Sequence, residues 1–180
     1  MANIAEYLVK YPLLARLLNR EAEWTIAVKS LDLVVYDFDG VMTDNRVLVL
    51  QDGTEGVMAN RADGLGVERV GALGLPQMIL STETNDVVKA RARKLKLEII
   101  TGCRDKKTAL QDYCRERGHD LRRVLFVGND VNDLPVMQVV GFPIAPADGH
   151  PAVKQIAFAV TRAKGGEGVV KELSERLVAG

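Results

Sequence analysis

Carboxylates recur in this chain at spacings that suit phosphoryl transfer. Asp37 and Asp39 stand two apart after the apolar run 31–36, and Asp130 and Asp133 follow a second such run, 124–127. Between them come Ser81, after 77–80, and Lys106, after 97–100. A carboxylate at a strand end can attack the phosphorus of a monoester and carry the phosphoryl group covalently, which divides one difficult displacement into two easier ones. A second carboxylate two residues on can protonate the departing alkoxide and then take a proton from the attacking water. A hydroxyl can hydrogen-bond a phosphoryl oxygen, and an ammonium can neutralise charge on the nucleophile and the transferring group. Asp37, Asp39, Ser81 and Lys106 are therefore the candidate catalytic set. Asp37, Asp39, Asp130 and Asp133 are candidate metal ligands, because so many acids at one edge require a hard cation, and Mg²⁺ suits oxygen donors. Each signal alone has an ordinary explanation. An Asp-x-Asp pair occurs in surface turns, Ser81 can cap a helix, Lys106 beside Lys107 can be a solvated lysine, and 129–133 can be a capped helix start. Their order carries the weight: four signals, each after a successive apolar run.

The positioning elements follow from the same runs. Residues 31–36 are almost unbroken in apolar side chains, as in a strand covered on both faces. Further strands are expected at 77–80, 97–100, 124–127, 142–145 and 157–160. Helix-period segments lie between them: 63–73 closed by Gly74, 85–95 behind an Asn cap, 107–117 ending at Gly118, and a terminal helix at 168–178. This alternation predicts an α/β fold, a Rossmann-like parallel sheet with helices on both faces. In such sheets ligands bind beyond the carboxyl ends of the strands, where the candidate residues fall. One stretch breaks the rhythm. Residues 46–60, with Asp52-Gly53 at the turn, predict a β-hairpin inserted after the first strand, and no segment is left for a large cap domain. Residues 1–30 are expected to form an amphipathic helical extension, kinked at Pro12 and anchored by Trp24, with 31–180 as one domain.

Bulk properties narrow the partners. Lys plus Arg and Asp plus Glu both total 24, so no global field favours nucleic acid or an anionic membrane, and any charged substrate must be recognised locally. Cys103 and Cys114 match neither a zinc site nor a disulfide framework and are expected to be packing residues. No stretch is long and apolar enough to span a bilayer, and the N-terminus lacks signal-peptide organisation. Cytoplasmic residence and a small phosphorylated substrate are the expectations.

Asp37-Phe38-Asp39-Gly40-Val41-Met42-Thr43-Asp44 resembles the first motif of haloacid dehalogenase-type phosphatases, and Ser81, Lys106 and Gly128-Asn129-Asp130-Val131-Asn132-Asp133 fit the other three. Within that superfamily, Asp52-Gly53, Asn60, Asp63-Gly64-Leu65-Gly66, Leu134-Pro135-Val136-Met137, Gly141 and Gly165-Gly166-Glu167-Gly168 resemble the small-cap branch. That branch contains 3-deoxy-manno-octulosonate 8-phosphate phosphatases and domains fused to acylneuraminate cytidylyltransferases. The resemblance covers roughly 31–175. It implies Mg²⁺-dependent hydrolysis of a sugar phosphate, including keto-sugar acid phosphates, through an aspartyl-phosphate. It also implies substrate contacts at Asn60, Arg61, Asp63, Gly64, Thr82 and Arg91, and a homotetramer in which the hairpins associate and a neighbouring subunit helps close each site. Three departures stand out. Asn129 occupies the position of a metal-binding Asp. Ser81-Thr82-Glu83 replaces the branch's Thr-Gly-Arg, so an acid stands where an arginine could meet a substrate carboxylate. Ala62 and Glu68 stand where arginines are common. Asn129, with the use of similar domains attached to cytidylyltransferases, raises the alternative of an oligomerisation or regulatory module with weak or lost catalysis. His150 fits either a family loop near the site or a helix start.

Overall fold

The computed structural model describes residues 24–179. A short strand β1 (Ile26–Ala27) and a 3-10 turn (Val28–Ser30) lead into the fully buried β2 (Leu33–Tyr36). A hairpin of β3 (Thr43–Val49) and β4 (Glu55–Ala59) follows. Next come α1 (Ala62–Ala72), β5 (Gln77–Leu80), α2 (Asp86–Leu95), β6 (Glu98–Ile100) and α3 (Lys106–Arg117). The chain returns through β7 (Val124–Val127), α4 (Leu134–Met137), β8 (Phe142–Ala145), α5 (Pro151–Ile156) and β9 (Ala159–Val160). It closes with α6 (Val169–Arg176) and β10 (Leu177–Val178).

Six strands form one parallel sheet in the order β6-β5-β2-β7-β8-β9. The side-chain period of two sends Val34 and Tyr36 to one face of β2 and Leu33 and Val35 to the other. On the first face they meet Val67 and Val70 of α1, Val88 of α2 and Leu173 of α6; on the second, Leu110 of α3, Val136 of α4 and Val153 of α5. The expected architecture is therefore present, helices on both faces included. The chain builds outward from β2 to β6, then turns back to start again at β7 on the other side of β2. This reversal opens a crevice at the carboxyl ends of β2 and β7.

Several boundaries moved. The strand expected from residue 31 starts at Leu33, because the preceding 3-10 turn places the buried Leu31 in the core without a ladder partner. The hairpin begins at Thr43, with a register irregularity before Val47 where Asn45 adopts φ 62°. Its Asp52-Gly53 turn forms as expected, Gly53 at φ 83°. The terminal helix stops at Arg176, because Leu177–Val178 pairs in parallel with Ile26–Ala27. Of the helical extension expected over 1–30, residues 1–23 and the kink at Pro12 lie outside the described residues. Residues 24–30 form a strand and a 3-10 turn rather than an α-helix, and Trp24 is buried in the domain core.

One cap ties the first face together. Asp63, only 1% exposed, accepts hydrogen bonds through Oδ1 from Val170 N (3.0 Å) and Lys171 N (3.2 Å) in the first turn of α6. Its Oδ2 is buried without a partner. Burial pushes this carboxyl up to about 6, against the pull of the two backbone N–H groups and Arg91. A native pKa above the unfolded value means that the folded state binds more protons between roughly pH 4 and 6, so this group's contribution falls as pH rises through that window. Asp63→Asn lacks that slope while keeping an oxygen for the helix. Urea unfolding should show the variant gaining about 2–3 kcal/mol on the wild type between pH 4 and pH 7; a pH-independent difference would contradict the assignment.

Candidate active site

Asp37 follows β2 directly, and its N–H donates to Val127 O (2.9 Å), extending the β2–β7 ladder by one residue. That bond fixes the side chain at the mouth of the crevice, 5% exposed. Asp37 Oδ1 accepts from Phe38 N (2.8 Å) and Lys106 Nζ (2.7 Å). Lys106 arrives on the first turn of α3, whose N-terminus is capped by the Asp105 carboxylate. It is 2% exposed, so the solvated-lysine explanation is excluded. Its ammonium also holds Asp133 Oδ1 at 2.7 Å. The other oxygen of Asp133 accepts from Asn129 N (2.9 Å) and Asp130 N (3.4 Å), closing a capping box on the 3-10 turn Val131–Asp133. The helix-start explanation for 129–133 thus coexists with a place in the site.

Burial, then the charge on Asp133, push Asp37 above the usual carboxylate range, while Lys106 pulls it down. Burial opposes the charge on Lys106, but Asp37 and Asp133 outweigh it and raise its pKa. Asp39 is half-buried and raised, mainly by burial and further by the charge on Glu83, with the Thr43 hydroxyl opposing. Thr43 Oγ1 donates to Asp39 Oδ1 (3.1 Å) and accepts from Gly40 N (3.3 Å), which orients Asp39. Thr43, part of the first motif, is completely buried, and this placement gives its hydroxyl that orienting role.

The metal assignment changes in detail. Among the described residues, no three His, Cys, Asp or Glu side chains gather as a metal-binding group. The Asp133 carboxylate is engaged by Lys106 and the loop, and the Asp130 carboxylate caps Val131 N (2.7 Å). The Asp39 side chain is turned to Thr43. What converges instead are Asp37 Oδ2, the Asp39 carbonyl and the Asn129 amide, whose nitrogen donates to the carbonyl at 3.0 Å and to the carboxylate at 3.2 Å. A carboxylate, a backbone carbonyl and an amide that can turn its oxygen inward are hard oxygen donors, and this donor set fits Mg²⁺. Gly40, at φ 79°, is required here, since a Cβ would overlap the Asn129 amide.

The substrate-side residues separate. Ser81 is 1% exposed beyond β5, its Oγ accepting from Glu83 N (3.0 Å), and Thr82 follows it half-buried. Asn60, Asp63 and Arg91 are engaged within the protein. Asn60 Nδ2 donates to Gly166 O (3.2 Å), Arg91 Nη2 donates to Asn60 O (2.7 Å), and Asp63 caps α6. Arg61 is exposed at the start of α1, and Gly64 packs toward Leu95. None of these six lines the cavity of about 270 Å³ between the hairpin and the start of α2, which has Asp39 on its wall. Glu55, Glu83 and Asn85 line it instead. Sequence could not select Glu55 or Asn85, because the hairpin's fold over α2 decides which residues face inward. His150 Nδ1 accepts from Ala152 N (3.2 Å) as a helix cap, while its backbone N–H donates to Asn129 O (2.7 Å) and steadies that residue. Cys114 is buried in the core and Cys103 packs against it half-buried.

A doubly wound parallel sheet with an aspartate beyond its central strand, a shared buried lysine and an inserted hairpin defines a class of hydrolase. A family model for haloacid dehalogenase-like hydrolases matches residues 77–173, and the chain belongs to that family. It is 31% identical over 147 residues to the 3-deoxy-D-manno-octulosonate 8-phosphate phosphatase of Yersinia pestis, spanning 81% of this chain and 79% of that one. A haloacid dehalogenase family hydrolase from Streptomyces avermitilis superposes with a TM-score of 0.84 at 46% identity, covering 87% of this chain and 90% of its own. The octulosonate 8-phosphate phosphatase of Moraxella catarrhalis, solved with magnesium, phosphate and the sugar acid, superposes at 0.79 with 30% identity, covering 82% and 86%.

Removing the shared cation should expose its structural weight. Lys106→Met leaves Asp37 and Asp133 buried without their counter-ion, and unfolding free energy measured in EDTA should drop by roughly 3–5 kcal/mol. An unchanged midpoint would mean that the ammonium does not hold the pair.

Proposed function

We propose that this protein is a Mg²⁺-dependent phosphomonoester hydrolase acting on a phosphorylated sugar through a phospho-Asp37 intermediate. The arrangement of Asp37 supports this best: one oxygen is held by Lys106 and Phe38 N, the other turned toward the Asp39 carbonyl and Asn129. The Asp37 carboxylate attacks phosphorus as the bond to the sugar oxygen breaks, and Asp39 gives its proton to that oxygen. Asp39 then takes a proton from water, which attacks the phosphorus and frees Asp37 with inorganic phosphate. Asp39 must be protonated for the first step, and its raised pKa favours that form. Lys106 balances charge on Asp37 and the transferring group, and Asp133 positions Lys106. Ser81, at the same edge, donates its hydroxyl to a phosphoryl oxygen. Asp37, the Asp39 carbonyl and Asn129 would hold Mg²⁺, which when bound supplies electrostatic stabilisation of the phosphoryl oxygens. The relatives named as phosphatases of a sugar acid phosphate support a sugar phosphate as substrate.

The hairpin supports a homotetramer. Leu48 is 65% and Met58 75% exposed, and Val47, Val49 and Leu50 are exposed beside them. A two-stranded ribbon is marginal alone, and apolar side chains this open gain most by packing on copies of themselves.

Purified protein with Mg²⁺ should release phosphate from a panel of sugar phosphates. Asp37→Asn or EDTA should abolish release, by a factor of 10³ or more for the variant. Absence of turnover on every substrate, with the oligomer intact, would favour a non-catalytic module, the reading that Asn129 raises. Leu48→Lys with Met58→Glu should convert the tetramer to smaller species in light scattering; an unchanged mass would place the interface elsewhere.

A further inference from the structure

The cavity beside Asp39 holds the part of the substrate that leaves, because Asp39 must reach the oxygen that bridges it to phosphorus. Its charge therefore selects the leaving group. Besides Asp39, which carries the proton for the leaving oxygen, two carboxylates line it, Glu55 and Glu83, against one cation, Arg46. The Arg46 guanidinium is already paired with Asp44 at 2.9 Å and is 84% exposed, so it offers little compensation. Glu55 is fixed across the cavity by the Asn85 amide, which donates to it at 3.0 Å while capping α2 through Val87 N (3.0 Å). A neutral amide holds that carboxylate in place and leaves its charge intact. Glu83 is fixed through its backbone: its N–H donates to Ser81 Oγ (3.0 Å) and its carbonyl accepts from Gly102 N (2.9 Å). Arg46, at the exposed rim, is the one side-chain cation among the lining residues, so the two glutamates outnumber it.

We propose that the enzyme selects phosphorylated sugars whose released part carries hydroxyls and no carboxylate, and discriminates against sugar acid phosphates of the kind for which its relatives are named. Hydroxyls donate to the Glu55 and Glu83 carboxylates, whereas a carboxylate in the same space meets like charge from both. The selectivity thus comes from the hairpin and the β5–α2 loop, and the chemistry at Asp37 is shared with the relatives. This inference rests on the phosphatase reading of the site.

The test compares kcat/KM on matched pairs at fixed ionic strength: glucose 6-phosphate against 6-phosphogluconate, and arabinose 5-phosphate against 3-deoxy-manno-octulosonate 8-phosphate. p-Nitrophenyl phosphate reports the chemistry alone. The neutral member of each pair should be favoured at least ten-fold, a preference that shrinks with added salt. Glu55→Gln with Glu83→Gln, both at exposed positions that tolerate the amide, should raise the acid-to-neutral ratio by about ten-fold. Equal or better use of the acid by the wild type, or an unchanged ratio in the double variant, overturns the proposal while p-nitrophenyl phosphate turnover leaves the phosphatase reading standing. No turnover of p-nitrophenyl phosphate or any sugar phosphate overturns both.

Discussion

Two buried carboxylates share one buried ammonium, and the rest of the site is arranged around that fact. Asp37 and Asp133 lie on loops after neighbouring strands, β2 and β7, and either charge alone would be costly out of water. Lys106 answers both from the first turn of α3, after β6, at 2.7 Å to each. The two loops and the helix start are therefore locked to one another by a single group. Asp133 completes the lock by accepting from the backbone of 129 and 130, which sets where Asn129 presents its amide.

The parallel sheet makes this convergence possible. Because the strand order reverses beside β2, the loops after β2 and β7 cannot pack over each other's strands and leave a crevice between them. Asp37 is held there by a ladder hydrogen bond, Gly40 turns the chain at a positive φ, and Thr43 brings Asp39 back toward the crevice. The loop 165–168 seals the outer side: Gly166 N–H donates to Val41 O, and the Asn60 amide reaches Gly166 O. Asn60, with Arg91 on its carbonyl, thus supports the first motif from behind.

The proposed chemistry and the proposed selectivity rest on different parts of the chain. Asp37, Lys106 and the candidate cation site sit at the edge of a sheet covered by helices on both faces. The cavity beside Asp39 is made by the hairpin and the start of α2, which an Asn85–Glu55 hydrogen bond joins. The Asp37–Lys106–Asp133 lock draws on none of the residues that line that cavity.

Local patterning alone determined much of this protein. Unbroken apolar runs identified the central strands, Gly74 and Gly118 marked helix ends, Asp52-Gly53 marked the hairpin turn, and the order of Asp37, Ser81, Lys106 and Asp133 placed them on one edge. These are readable because strand period, turn chemistry and sheet topology act over a few residues or through fixed connection rules. The tertiary structure decided the rest. Whether Lys106 is solvated or buried, whether Asp133 faces a cation or a lysine, and whether Asn60, Asp63 and Arg91 face substrate or the protein's own backbone all depend on distant segments. So does the acidic lining of the cavity, since Glu55 and Glu83 come together only when the hairpin folds over α2. At Asp37 both levels meet: the sequence placed it at a strand end, and packing made it a buried carboxylate shared with a lysine.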